Sequence, residues 1–323
     1  MIRRSRQTPR KCWKICNSRG EVCIFGANKN QTMAVVHQIQ PAFTVDDTSL
    51  LETDLTTCHL LVLVGVGTFS YVVFEPAENK FLALKSYRFE PQKAALADLE
   101  MIEQVFDADR LLFTAFRSVL LGFDQRCQTL VPAKFYNANL KKDYLHLVFP
   151  EKMQEAVLAD TISELEVVNV YGVDKDLVGF LRKEFATDKV VNANTALLRS
   201  YVYDHDYQQR DGVVYIEVQP GHVTLTAYAL GRLLGQQQYA FQTGLDIVYY
   251  LTSMLRQVNL DEQKAFVKIG GEVHTDDALV EELRSFLPQL QWMDRLPGFR
   301  YISKMQELPA HYFQDLYALA LCV

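Results

Sequence analysis

The sequence predicts a mixed α/β protein built from two copies of one β-β-β-α-β unit. The clearer copy covers residues 213–271. Its first apolar run reaches a Gln-Pro-Gly turn and continues into residues 222–228, where apolar side chains alternate with period two. After a second glycine break come a third strand, a helix capped at Thr243, and a fourth strand that ends in Gly270-Gly271.

The same order of elements occurs once earlier, between residues 60 and 106. Two strands flank a turn at Gly67, a third strand covers residues 80–88, and a helix covers residues 91–106. Superposing Gly67 on Gly221 offsets the copies by 154 residues and makes one face of each hairpin apolar in the same register, which favours an internal repeat over two unrelated β-meanders. The aligned residues are Phe69, Tyr71 and Val73 in one copy and Val223, Leu225 and Ala227 in the other.

Further elements fill the segment between the copies. Periodicity predicts strands over residues 113–123, 143–149 and 164–173, a short helix after Pro132, and helices over residues 174–185 and 192–203. The polar stretch Tyr203–Asp211 is the candidate boundary, and its Asp204-His205-Asp206 run is expected to be a solvated connection. We therefore divide the chain into a basic tail (1–32), a first half with an insertion (33–205) and a second half (206–323).

Composition indicates a folded chain with an uneven charge. Of 323 residues 49% are hydrophobic and 22% charged, enough for one large or two modest cores. The net charge is −6, but residues 1–32 hold eight Lys or Arg and only Glu21 as an acid, which leaves 25 basic and 38 acidic residues elsewhere, a balance of −13. Such an acidic body repels a phosphate backbone, so nucleic acid is not an expected partner for it.

The basic tail has three interpretations: an arm for nucleic acid or membrane surfaces, a targeting peptide, or a segment with no fold of its own. Residues 12–28 contain no apolar stretch long enough for a signal-peptide core, which disfavours secretion. Met33 opens a more usual protein start, so we expect residues 1–32 to be disordered or upstream translation.

The cysteines and the apolar runs bear on the compartment. Cysteines at positions 12, 16, 23, 58, 127 and 322 match neither a disulfide framework nor a paired metal-binding spacing. Without a signal peptide, this usage predicts the reducing cytosol. The longest apolar run, within residues 60–66, has strand length and predicts no transmembrane segment.

Several segments resemble known families. Residues 167–185 (VVNVYGVDKDLVGFLRKEF) and 192–202 (NANTALLRSYV) resemble the strand and two helices that precede the second half in pilus-assembly proteins of the PilM kind. LVP at 130–132, FQTGLDIVYYLTSML at 241–255 and KIGGEV at 268–273 are similar to the Bacteroidetes domain-of-unknown-function 3822 family. The resemblance implies the actin-like ATPase fold, which is ribonuclease H-like with two duplicated β-β-β-α-β halves, and it implies no settled activity.

The actin-like class also implies where a nucleotide would bind. Two strand-turn-strand loops hold the phosphates, because N–H groups in Gly-rich turns cradle phosphate while a carboxylate positions metal and water; a Gly-Gly turn holds the adenosine. The resemblance gives candidate nucleotide-binding residues in three places: Gly65, Gly67 and Thr68 in the first loop, Glu217 and Gly221 in the second, and Gly270 and Gly271 in the turn.

This match is partial. Gly65 stands where the first carboxylate should be, and Pro220, which has no N–H, replaces a glycine of the second loop. Gly270-Gly271 matches, although a tight turn favours glycine with or without a ligand. We therefore expect no cofactor and a module for protein interaction, with an unknown partner or as a homodimer, rather than an enzyme. The alternative is an ATP-binding switch or weak ATPase that uses Mg²⁺.

Two other groups receive structural interpretations. Glu272, His274, Asp276 and Asp277 precede a helix, where acidic residues are normally caps and dipole partners rather than metal ligands. His222 is expected at an outward-facing surface position of its strand.

Overall fold

The computed structural model describes residues 14–16, 22–24, 39–46, 48–89, 95–287 and 289–323. In chain order its strands are β1 (Lys14–Cys16), β2 (Val22–Ile24), β3 (Phe43–Asp46), β4 (His59–Gly65), β5 (Thr68–Glu75), β6 (Lys80–Arg88), β7 (Ser118–Phe123), β8 (Gln128–Pro132), β9 (Glu155–Ile162), β10 (Val167–Asp174), β11 (Val190–Asn192), β12 (Val213–Gln219), β13 (His222–Ala229), β14 (Arg232–Tyr239), β15 (Phe266–Gly271), β16 (Gln291–Trp292) and β17 (Arg300–Tyr301). The helices are α1 (Ser49–Glu52), α2 (Ala95–Ala108), α3 (Lys141–His146), α4 (Lys175–Glu184), α5 (Ala193–Tyr201), α6 (His205–Gln209), α7 (Gly244–Gln257), α8 (Ala278–Phe286), α9 (Ser303–Gln306) and α10 (Gln314–Ala318).

Two large sheets share one topology. The first runs β11-β7-β4-β5-β6-β17, with β3 also paired to β6, and the second runs β16-β15-β12-β13-β14. In each sheet two antiparallel hairpins (β4-β5-β6 and β12-β13-β14) are extended on the other side by parallel strands. The paired hairpins begin 154 residues apart, as the sequence predicts, so the structure contains the predicted repeat.

The equivalent turns have the same backbone. Gly67 and Gly221 are the second residues of two-residue turns, with φ of +69° and +77°, a region that disfavours side chains with a Cβ. The apolar faces predicted for the two hairpins, from Phe69 to Val73 and from Val223 to Ala227, are buried. Turn and pattern thus act together to fix the register.

Helix α5 is enclosed between the two sheets. Ala193 and Ala196 pack with Leu61 of the first sheet, in a cluster that also contains Leu316 of α10. On its other side Tyr201 stacks on Tyr215 of the second sheet, with ring centroids 4.1 Å apart. Eight of the nine residues of α5 are buried, and these include the polar Asn194, Thr195 and Ser200.

A small three-stranded sheet, β8-β10-β9, is inserted in the first half. The short helix predicted after Pro132 is present as a 3-10 turn, Ala133–Phe135. Asp174 caps α4 by accepting hydrogen bonds from the N–H groups of Asp176 and Leu177 at 2.9 and 3.0 Å.

One predicted strand is wrong. Residues 143–149 belong mainly to α3, whose only buried side chain, Leu145, packs on the small sheet. With one buried residue in six, the apolar pattern cannot distinguish a period of two from a period of 3.6. The stretch 203–211 likewise contains a short helix, α6, capped by Asp204.

Two expectations lie partly outside the described residues. The first residues of the helix predicted over 91–106 do so, and α2 is described from Ala95. Of the basic tail only β1 and β2 are described, as an antiparallel pair, so the nature of residues 1–32 stays a prediction. The division of the chain at residue 205 also stays a prediction. None of the helices in the described ranges combines the length and apolar character needed to cross a bilayer.

We expect Leu316→Ala to lower the free energy of unfolding by about 2–5 kcal/mol, because it deletes a fully buried side chain between α5 and the first sheet. Urea unfolding followed by circular dichroism measures this. Leu147→Ala, at an exposed leucine, is the control and should change stability by less than about 0.5 kcal/mol. Equal losses in both variants would contradict the packing described for α10.

Candidate functional site

The loops implied by the resemblance meet between the two sheets. Gly65 and Thr68 line a small cavity there together with Gln219, Pro220 and Glu272, which directly follows Gly271. They converge because the hairpin turns and the carboxyl end of β15 lie at those strand ends of the two sheets that face each other. The cavity holds about 20 Å³, the space of one water molecule.

Packing alone accounts for one of the two glycines that end β15. A Cβ at Gly271 would lie 2.0 Å from the carbonyl oxygen of Val218, and φ at Gly271 is +93°. A Cβ at Gly270 would lie 2.6 Å from the sulfur of Met293. Gly271 therefore requires glycine for close approach of the backbone, whether or not a nucleotide binds, whereas a Cβ at Gly270 would displace only the flexible side chain of Met293.

The first loop does have a carboxylate beside it, from a residue that the sequence did not indicate. A Cβ at Gly65 would lie 2.6 Å from Thr68 Oγ1 and 3.8 Å from a carboxylate oxygen of Asp124. Asp124 immediately follows β7, a parallel strand whose carboxyl end faces the cleft. Its position after an apolar strand is a signal that could have identified it.

Four side-chain contacts hold the cleft closed. Arg88 of β6 forms an ion pair with Glu272 at 2.6 Å, and Arg126 donates from Nη2 to the carbonyl oxygen of Gly221 at 3.1 Å. Gln219 donates from Nε2 to Asp315 at 2.9 Å. His222 Nε2 lies 3.5 Å from Asp124 Oδ2.

The surface position predicted for His222 is wrong, because only 3% of this residue is exposed. The same holds for its neighbours on that face of β13, Thr224 and Thr226, which are also buried. The period-two alternation predicted for β13 is present, but elements distant in sequence cover the second face of this strand. The pattern of a single strand predicts a solvent-exposed face even when other elements of the fold cover that face.

Carboxyl groups accumulate under the cleft. Glu217 is 1% exposed, and neither of its carboxyl oxygens has a hydrogen-bond partner in the described part of the chain. Burial, with the negative charges of Asp315 and Asp124, raises the pKa of Glu217 well above its usual value. Burial and then Asp124 raise the pKa of Asp315 to about 7, and burial raises the pKa of Glu272 although Arg88 opposes it.

These residues do not fit Mg²⁺-ATP as they are arranged. The raised pKa of the buried Glu217 carboxyl favours its neutral form, which is a poor metal ligand. Pro220 supplies no N–H to the second loop, and a cavity of about 20 Å³ has no room for a triphosphate. Phosphate binding at the candidate residues stays a prediction.

The Asp204-His205-Asp206 run is not the solvated connection that was expected. Lys268, 3% exposed, pairs with Asp204 at 2.7 Å and with Asp206 at 2.8 Å. Burial opposes the charge of Lys268, but the hydrogen bonds that it donates to both carboxylates raise its pKa. The run thus ties α6 to β15. Near α8, Asp277 accepts a hydrogen bond from the N–H of His274 at 2.7 Å, as a residue that closes a turn does.

Two duplicated sheets around a cleft, joined by a buried helix, define a protein of the actin-like ATPase fold. The chain belongs to the family described as "Protein of unknown function (DUF3822)", which matches residues 47–290. The family and the fold that the resemblance implied are both confirmed.

Two solved structures illustrate the likeness. A Bacteroides thetaiotaomicron protein with actin-like ATPase fold and unknown function is 17% identical, with a TM-score of 0.70, over 83% of this chain and 97% of that one. The PilM-PilN type IV pilus biogenesis complex contains a chain that is 14% identical, with a TM-score of 0.51, over 82% of this chain and 98% of that one. A comparison with curated proteins finds no match.

We expect the free energy of unfolding to fall between pH 5 and pH 8, with Asp315 contributing. Its pKa is raised from 3.8 in the unfolded state to about 7 in the native state, so its contribution is present below 3.8 and is lost as the pH rises towards 7. Urea unfolding at both pH values should show a smaller fall for Asp315→Asn. An equal fall in this variant and in the exposed control Asp276→Asn would contradict the assignment.

Proposed function

We propose that this protein acts by binding another protein and that it does not hydrolyse nucleotide. The observation that carries the proposal is the cleft, where contacts between the halves leave a cavity of about 20 Å³. Hydrolysis would require space for a triphosphate and an ionised carboxylate for its metal. The side chains that fill this cleft favour a structural role for it.

Electrostatics supports the same proposal. The four carboxyls near the cavity are those of Asp124, Glu217, Glu272 and Asp315. Among the described residues Arg88 pairs with one of these carboxyls, that of Glu272, while Arg126 bonds the backbone carbonyl of Gly221. A triphosphate that entered without a metal ion would add further negative charge to this region, which makes the entry of a metal-free nucleotide costly.

An interaction role is supported by the surface of the inserted sheet and by one structural neighbour. Large apolar side chains are exposed along residues 133–153, and clustered exposure of this kind marks binding surfaces. They are Phe135, Leu140, Leu147, Val148 and Met153. The PilM-PilN structure is a protein complex formed by a chain of this fold.

The proposal places the protein in the reducing cytosol. Cys58, Cys127 and Cys322 are free thiols in the described part of the chain, which fits that compartment.

We expect millimolar Mg²⁺-ATP to leave the melting temperature of the protein unchanged. A nucleotide present at 100 times its dissociation constant would stabilise the native state by about 2.7 kcal/mol and raise the melting temperature by several degrees. Differential scanning fluorimetry measures this, with AMP and Mg²⁺ alone as controls.

The variant Arg88→Ala sharpens the experiment, because it removes the ion pair that joins β6 to Glu272 across the cleft. If the melting temperature of neither protein shifts, the result supports the proposal. A shift in the wild-type protein would contradict it. A shift in Arg88→Ala alone would mean that cleft closure, rather than loop chemistry, excludes ATP, and would favour the ATP-binding switch.

A further inference from the structure

A groove of about 840 Å³ lies between the small inserted sheet and the second large sheet. We call it the edge groove. Residues 128–130 and 132 of β8 form one wall, residues 233–239 of β14 with Ala240 form the other, and Val148 and Phe149 close one side. Its volume lies within the range typical of binding sites. It adjoins the cleft at Arg126, which lines the groove and also bonds Gly221 across the cleft.

Both walls of the edge groove are strand edges. In the described part of the chain β14 pairs only with β13, and β8 pairs only with β10. Consecutive residues of β14, from Leu233 to Tyr239, all line the groove. Side chains of one strand alternate between two faces, so an unbroken run of lining residues means that the strand presents its edge. An edge offers unpaired N–H and C=O groups, which can pair with another strand.

The side chains of the groove suit an uncharged extended chain. Leu130, Leu233, Leu234 and Val148 supply apolar contacts, and 37% of Leu234 and 60% of Val148 are exposed. Arg126 is the one charged residue among those that line the groove. It lies at the end of the groove where β8 begins and β14 ends. Arg126 bonds the carbonyl oxygen of Gly221, Gly221 precedes β13, and the start of β13 pairs with the end of β14.

Hydrogen bonds hold the two walls at a fixed separation. Asn169 donates from Nδ2 to Gln128 of β8 at 3.1 Å and to Thr195 of α5 at 3.1 Å. One residue earlier in α5, Asn194 exchanges hydrogen bonds with Gln236 of β14. The first turn of α5 therefore connects both walls, so a ligand would bind without first ordering the groove.

We propose that the edge groove binds an extended peptide segment of another protein, which adds a strand to β14 and places an acidic residue beside Arg126. The eight residues of β14 offer an edge of about 26 Å at roughly 3.3 Å per residue, longer than that of β8. Main-chain hydrogen bonds give such a complex its affinity, and alternate side chains give it specificity. This inference rests on the proposed protein-binding function and assigns it a site and a class of ligand.

The test uses a phage-displayed library of random 12-residue peptides selected on the full-length protein. Enriched peptides are resynthesised, and their dissociation constants are measured by fluorescence anisotropy. We expect them to carry Asp or Glu towards one end and to lack proline at the centre, because proline cannot donate to the ladder. Hydrogen exchange with and without peptide should show protection of backbone amides in residues 233–239.

Matched variants locate the binding. Leu234→Lys on β14 and Val148→Lys on the opposite side of the groove should each weaken binding at least tenfold. Arg126→Gln should weaken the binding of acidic peptides more than the binding of the same peptides with Asn or Gln in place of Asp or Glu. Leu245→Lys is the control, because Leu245 is 51% exposed but lies outside the groove. Circular dichroism confirms that each variant is folded.

Three results would overturn the inference. They are a selection without binders, binders insensitive to Leu234→Lys, and a dimer in light scattering that Leu234→Lys dissociates, in which case a second copy occupies the groove. Binders insensitive to Leu234→Lys would leave the protein-binding function standing with its site elsewhere. An ATP-induced shift of the melting temperature would instead favour the ATP-binding switch over the proposed function and would not bear on the groove.

Discussion

Burial of α5 between two sheets is the constraint on which the rest of the structure depends. A helix without a solvent face must find partners for every polar group of its first turn. Asn192 caps the N–H of Asn194 at 2.8 Å, while Asp160 of the inserted sheet accepts from the N–H of Asn192 at 2.8 Å and from Thr195 at 2.9 Å. The same turn therefore fixes both large sheets and the insertion relative to one another.

That arrangement explains why the cleft and the edge groove differ chemically. The two sheets come close at the hairpin turns, where polar side chains from one side of the cleft contact groups on the other side and exclude solvent. Where the insertion meets β14, amide side chains connect the walls beneath an open groove. One fold thus combines a filled site and an open one, and function must be argued from the sites.

Much of the fold could be predicted from the sequence because its signals are local. The glycines of the hairpin turns, the period-two faces of β5 and β13, and the Asp174 cap each involve residues within a few positions of one another. The candidate site was harder. Its loops were found, but the carboxylates that change its chemistry, Asp124 and Asp315, come from a strand end and from α10, and only tertiary packing brings them to Glu217. The burial of His222 and the Asp204–Lys268 pair escaped prediction for the same reason.

The short strand β17 has a consequence for the order of assembly. It pairs with β6, so Arg300 and Tyr301 complete a sheet whose other strands lie before residue 193. The second sheet needs only residues 213–292, a continuous segment. Contacts between residues far apart in sequence form slowly, and the ribosome synthesises the amino terminus first. The first sheet, most of which is synthesised before the second, is therefore completed only after β17 has been synthesised.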